Sequence, residues 1–319
     1  MIIDAYTHAL TERFYETLLD DYAFNGLTGD PSFLWDVEQR LTDMDEYGID
    51  KQVLTIALPP LWREMDRADA LELTRLANDE IRRLADEHPD EFIPVGTIPF
   101  VDDDFMAEFD RCVEDLDMAG IQIFSTIEGE PLDRPRFDPL FAKADQTDTP
   151  LWMHPQLHEW YDWASEYMEH RLFGWPFDTT LALSRLVFAG TTQRHDFDLV
   201  SHHGGGMVPY YRGRIDGFYE TRQQYPENYA DTELPDFDQP PSEEFASFHA
   251  DTAVGGSVPT YECAHDLFGD NLVWGTDYPF GPGRGRAGIE NELLAVDEMD
   301  LGANAREKLL AGNLRDLVS

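Results

Sequence analysis

The sequence predicts a closed (β/α)8 TIM barrel, and three observations carry that expectation. Short apolar runs alternate with helically periodic segments along nearly all 319 residues, eight strands can be counted, and four of the runs end in histidine or aspartate. Those four are Ile2-Ile3-Asp4-Ala5-Tyr6-Thr7-His8, Leu151-Trp152-Met153-His154, Leu199-Val200-Ser201-His202-His203 and Leu272-Val273-Trp274-Gly275-Thr276-Asp277. Parallel barrels assemble their chemistry at the carboxyl ends of strands, so polar groups there are placed for function more often than for packing. No dinucleotide fingerprint follows the first strand, which weighs against an open nucleotide-binding sheet.

The elements follow in order. Residues 10–29 mix aromatics with acids and read as an irregular loop with a short helix. Trp35, Val37, Leu41, Met44 and Tyr47 recur at helical spacing between Asp36 and Gly48, which predicts a helix over 35–47. Strand two, 52–58, runs into Pro59-Pro60, which no central strand continues through. A helix over 68–88, a strand over 92–98, a helix over 104–118, a strand over 121–124 and a helix over 139–146 lead to the strand ending in His154. The aromatic-rich stretch 157–176 is too long for an ordinary connection and reads as an insertion over the site, feeding a helix over 178–188. A second long connection, 210–244, follows the strand ending in His203, with its acidic, proline-containing part 231–244 on the surface. Strands over 248–253 and 271–276 and helices over 289–298 and 305–318 complete one barrel domain, 1–319.

The chain carries 64 acids against 23 bases, a net charge of −41, and its only lysines are Lys51, Lys143 and Lys308. A phosphate backbone would be repelled over most of such a surface, so nucleic acid is excluded as a partner. Disorder is excluded too, because 42% apolar residues and 20 phenylalanines supply a core. A folded, acidic, lysine-poor protein fits a salt-rich cytoplasm, where counterions screen self-repulsion; the expectation is a halophilic protein. There is no long apolar span and no basic-then-apolar amino terminus, so neither a membrane span nor a signal peptide is expected, and the expected location is cytoplasmic. Cys112 and Cys263 lack metal-type spacing and read as free thiols.

Tyr6 and His8 are two apart on a strand and share a face, while His154 and Asp277 end strands five and eight. Two imidazoles and a carboxylate converging at a barrel mouth make a site for zinc or a similar divalent ion. His202, next to His203, is expected to point to the opposite face in a structural hydrogen bond. Arg212 and Arg214 follow the glycine turn and fit either a substrate-carboxylate clamp or surface salt bridges. His158 and Trp62 are placed to reach or wall the substrate, and Asp251 to orient a histidine.

These residues bring the chain close to a known family. It resembles the amidohydrolase-related decarboxylases typified by aminocarboxymuconate semialdehyde decarboxylase, a group that also holds benzoate-type decarboxylases, hydratases and hydrolases. The resemblance runs through Ile3-Asp4 and His8, Arg40-Leu41 with Met44-Asp45, His154-Pro155, Gly174-Trp175-Pro176-Phe177-Asp178, His203-Gly204-Gly205-Gly206 with Pro209 and Arg214, and Thr276-Asp277-Tyr278-Pro279. It implies His8 and His154 as metal ligands, Asp277 as ligand or proton carrier, and His203 as the acid/base. One position departs: the family has His, or in some members Glu, where this chain has Tyr6. A phenol there fits a hydrogen bond to bound water or substrate better than ligation.

The function expected is a metal-dependent, non-oxidative decarboxylase of a small unsaturated or aromatic carboxylic acid, with one divalent ion, zinc by preference, and no organic cofactor. Its alternatives are a hydrolase of a lactone or amide using the same machinery, and a metal-free homologue that only binds a ligand. A homodimer is an assembly open to it. The charge balance yields one expected outcome. Because charges are screened over about 3 Å at molar salt but about 30 Å at 10 mM, the melting temperature should fall as KCl is lowered between those limits; an unchanged value would remove the halophile reading.

Overall fold

The strands that close the barrel are short, and side chains rather than long ladders finish the job. The computed structural model describes residues 1–21, 29–56, 65–156, 166–229 and 233–319. Parallel strands β1 (Ile3–Ala9), β2 (Lys51–Ile56) and β3 (Phe92–Pro94) pair in that order. The third position continues as β4 (Gly96–Thr97), which pairs with β5 (Ile121–Phe124). A small antiparallel hairpin, β6 (Thr126–Ile127) with β7 (Glu130–Pro131), follows outside the ring. The ring goes on through β8 (Leu151–His154), β9 (Leu199–Ser201) and β10 (His249–Ala250).

The eighth position, 272–278, forms bridges rather than a regular strand. Leu272 pairs with Ala250 on one side and Tyr278 with Thr7 on the other, so the ring closes on β1. Backbone bonds from Ala5 N to Trp274 O (2.8 Å) and from Asp277 N to Tyr6 O (3.1 Å) complete the closure. The segment departs from strand geometry because Asp277 itself has φ +63. Trp152, Val200, Val273, Tyr6 and Ala5 fill the barrel interior, and a larger apolar cluster packs the helices on its outside.

Helix starts fall where the sequence places capping acids. Asp36 accepts from Gln39 N ahead of helix Val37–Tyr47, which ends at Gly48 in the left-handed region, φ +70. Asp66 and Asp102 cap helices Arg67–Glu87 and Asp103–Glu114 in the same way. Within 10–29 the described part is an ordered helix, Glu12–Asp21. The carboxyl-terminal helix is broken into Ala303–Glu307, a π-turn Lys308–Gly312, and Asn313–Leu317. The connection 210–244 holds a helix, Arg212–Gln224, with none of its residues buried. Without a buried face there is no apolar stripe to read, which is why the sequence suggests only a loop there. Pro59-Pro60 and parts of the two long connections lie outside the described residues. Both cysteines are free, and no described helix is long and apolar enough to cross a membrane.

The three glycines after His203 all have positive φ. A Cβ on Gly206 would collide with Pro176 O and Thr180 Oγ1, whereas one on Gly213 would meet nothing within 4 Å. Gly206→Ala should therefore destabilise the protein by about 2–5 kcal/mol, combining left-handed strain of about 1–2 with overpacking of about 1–3 kcal/mol. Gly213→Ala, in the exposed helix, should be neutral or stabilising by up to about 1 kcal/mol. Denaturant titration at fixed salt measures both.

Candidate functional site

Four strand ends deliver the side chains of the mouth, and all but His203 are fixed from behind. On β1, His8 is buried and its Nδ1 lies 2.9 Å from Thr55 Oγ1. That hydroxyl donates its single proton to Thr7 O at 2.8 Å, so it accepts from His8 Nδ1–H and leaves Nε2 with the lone pair. On β8, His154 Nδ1 lies 2.8 Å from Pro155 O, which only accepts, so its Nε2 also carries a lone pair. The turn after it is held by Asp178, whose Oδ2 accepts from Gln156 N at 2.8 Å and from the Ser125 hydroxyl. Burial, with His8 and His202 adding to it, brings His154 down to about 3, and burial lowers His8 as well. Both rings are thus neutral at ordinary pH, the form that ligates metal.

Asp277 sits in the left-handed region because its neighbours hold it there. Asp4, fully buried on β1, accepts from Thr276 N at 3.0 Å and from Thr276 Oγ1 at 2.6 Å. Asp277 Oδ1 then lies 3.2 Å from His8 Nε2 and 3.4 Å from His202 Nε2. Neither nitrogen makes a hydrogen bond, since the contacts fall off the donor line. Burial works against the Asp277 charge, but the charged His202 ring more than offsets it and holds the carboxyl well below its usual range.

Contrary to the strand-alternation expectation, His202 turns into the mouth. β9 ends at Ser201 and His203 has φ +59, so the alternation of faces has already broken when the two histidines are reached. Both rings enter the site, with centroids 3.8 Å apart. His202 Nδ1 binds the Asp251 carboxylate, which is fully buried and also accepts from Gly204 N and Ala253 N. Burial opposes charge on His202, yet Asp251 and Asp277 raise it to about 10. His203, lowered to about 3 by burial and by His202, has an unpartnered Nδ1 and stacks on Trp175 at 6.2 Å.

Tyr6 is buried and flat against His202, centroids 4.0 Å apart. Arg212 is engaged with Asp266 and Glu243, and Arg214 lies exposed over Phe218, both on the helix Arg212–Gln224. The structure therefore gives Arg212 the salt-bridge role and shows neither arginine in contact with the mouth. Trp62 and His158 lie outside the described residues. Sequence reasoning missed Thr55 and quoted Asp4 and Arg40 only as positions of resemblance, with no part in the site; buried Arg40 bonds His8 O, Gln52 Oε1 (2.9 Å) and Thr7 Oγ1 (3.2 Å). Their signal, a polar residue inside an apolar run, is shared with many core positions.

The donor set suits a divalent ion. One ligand atom each from His8, His154 and His202, and likewise from His202, His203 and Asp277, lie within 4.8 Å of one another. Ligands bound tetrahedrally at about 2.0–2.1 Å stand about 3.3–3.4 Å apart, close to the 3.2 Å between Asp277 Oδ1 and His8 Nε2. Buried nitrogens aimed together but not bonded to each other are what such an ion would satisfy.

Residues 3–318 match the family model described as Amidohydrolase. The 2-amino-3-carboxymuconate-6-semialdehyde decarboxylase of Dictyostelium discoideum is 28% identical, covering 88% of this chain and 75% of its own. The gamma-resorcylate decarboxylase of Rhizobium sp. (strain MTP-10005) is 27% identical, covering 85% and 87%. Among solved structures, 5-carboxyvanillate decarboxylase from Sphingomonas paucimobilis superposes with a TM-score of 0.86 at 21% identity, over 99% and 98% of the two chains. The 5-carboxyvanillate decarboxylase from Novosphingobium aromaticivorans, complexed with manganese, has a TM-score of 0.86 at 23% identity, over 100% and 96%. These structures share the fold, a TIM barrel.

If His8, His154 and Asp277 form one ligand set, purified protein should hold one equivalent of divalent metal by elemental analysis. Adding metal at a hundredfold excess over its Kd should stabilise the fold by about 2.7 kcal/mol. His154→Ala and Asp277→Asn should lose both effects.

Proposed function

We propose that this chain, which belongs to the amidohydrolase family, is a metal-dependent, non-oxidative decarboxylase of a small aromatic or unsaturated carboxylic acid. The observation that carries the reading is the gathering at the mouth of two overlapping donor groups, His8, His154 and His202 in one and His202, His203 and Asp277 in the other, with Asp277 Oδ1 3.2 Å from His8 Nε2 and Asp251 behind His202. Relatives named as decarboxylases of aromatic or unsaturated acids along most of the chain support it.

His8, His154 and Asp277 would hold the ion, for which zinc is our preferred identity and manganese the one bound in a structural relative. Bound there, it supplies positive charge that fixes substrate oxygens and stabilises charge on them. The protein's groups do the rest. In decarboxylation a proton joins the carbon that bears the carboxylate, and the carbon–carbon electron pair returns to that carbon as carbon dioxide leaves. His202 is the donor we assign: Asp251 fixes its Nδ1, so the Nε2 proton faces the mouth in one orientation. This shifts the role that sequence alone gave to His203 onto its neighbour. His203, with its free Nδ1 beside Trp175, meets the substrate. Phe280, 5.4 Å from the His8 ring, covers the mouth and limits water. A hydrolase would use the same groups on a bound water, so product analysis separates the two.

With 2,6-dihydroxybenzoate and its relatives as a substrate panel, the protein should release carbon dioxide without consuming a lactone or amide; hydrolysis without carbon dioxide would select the rival. His202→Asn should lower kcat about a hundredfold or more while metal content stays, and His203→Asn should act mainly on KM. The reverse order would return the proton to His203.

A further inference from the structure

Tyr6 is the one group at the mouth whose chemistry is not absorbed by metal or proton transfer. It leaves β1 on the same face as His8, two residues on, and its ring lies 5.5 Å from the His8 ring. Its other neighbour is His202, stacked at 4.0 Å with planes 16° apart. The side chain is fully buried, and its hydroxyl has no hydrogen-bond partner among the described residues. Buried hydroxyls normally find one, so an orphan on a ring packed against His8 and His202, whose Nε2 atoms are unpartnered too, points to a shared occupant. Deprotonated, the phenol would add a third buried anion to Asp251 and Asp277. Protonated, it offers a donor, and a carboxylate oxygen is the acceptor that the proposed substrate brings.

We propose that Tyr6 is a substrate-binding residue rather than a metal ligand: its hydroxyl donates to a carboxylate oxygen of the bound acid while its ring holds the plane of His202. The proposal rests on the reading of this site as one that takes a carboxylic acid beside a divalent ion. Placing the donor under the stacked histidine ties recognition of the acid to the ring that protonates it. An acid whose carboxylate misses Tyr6 also misses His202.

The test uses cobalt-loaded protein and benzoate as an unreactive probe, read by visible absorption. Tyr6→Phe keeps the ring and its stack. It should bind cobalt within about threefold of wild type, show the same benzoate-free spectrum, and bind benzoate about tenfold or more weakly, the scale of a hydrogen bond to a charged group. An unchanged benzoate Kd would overturn the proposal. So would a large loss of cobalt affinity, which would make Tyr6 a ligand. Wild-type protein loaded with ferric iron provides a check that needs no variant: a phenolate-to-iron absorption band would likewise make Tyr6 a ligand, and its absence is expected. Should wild-type cobalt protein bind no benzoate at all, the acid-binding function falls and the proposal with it, a result distinct from an unchanged Kd in the variant.

Discussion

Closure of the ring between β1 and residues 272–278 is the constraint on which the rest of the mouth depends. The closing segment has few regular ladder bonds, and Asp4 carries much of the load by gripping Thr276 through both carboxylate oxygens. Burial raises Asp4 to about 7 even though these bonds lower it, so the grip is made where a charge is costly to keep. The gain is positional. With Thr276 fixed, Asp277 is presented to His8 and His202 from the opposite side of the seam. Thr55, Pro155 O and Asp251 fix the imidazoles of His8, His154 and His202 in the same manner, so each of these three is oriented by a group behind it.

Much of this was legible in the sequence, and for a physical reason. Alternating periodicity and the acid Asp36 at a helix start are local signals, and local signals survive folding. Strand ends bearing His8, His154 and Asp277 were readable because parallel barrels put carboxyl ends on one side. What failed to read was whatever depends on backbone outside the regular regions. The assignment of His202 and His203 to opposite faces presumed a strand that had already ended. Asp4 and Thr55 are ordinary polar interruptions until the closed ring shows what stands opposite them. The helix Arg212–Gln224 carries Arg212 and Arg214 towards acids and an aromatic of the surface, which a motif match at Arg214 had no means to register.

The family model gives the family and the structural likeness the fold; which substrate fits depends on the walls. Here those walls include Trp175, Phe280 and the stacked pair of Tyr6 and His202, an aromatic lining around a small set of polar atoms. The acidic exterior stands apart from this lining. Screening by salt acts on exposed charges far more than on the buried pair His202–Asp251, so the site's electrostatics and the surface's respond to solvent separately.

His203 and Asp277 share an uncommon backbone: both are non-glycine residues in the left-handed region. That region is tolerated by few side chains, asparagine, aspartate and histidine foremost among them. In the genetic code a single base change turns either the histidine or the aspartate codon into asparagine. Asp277 is therefore one nucleotide from a residue its backbone accepts and its proposed metal ligation does not, whereas at His203 the same change would weaken the hold on substrate. A lineage can silence such a site without unfolding the protein and recover it by reversing one base, which makes loss and regain of activity an easy evolutionary step for this barrel.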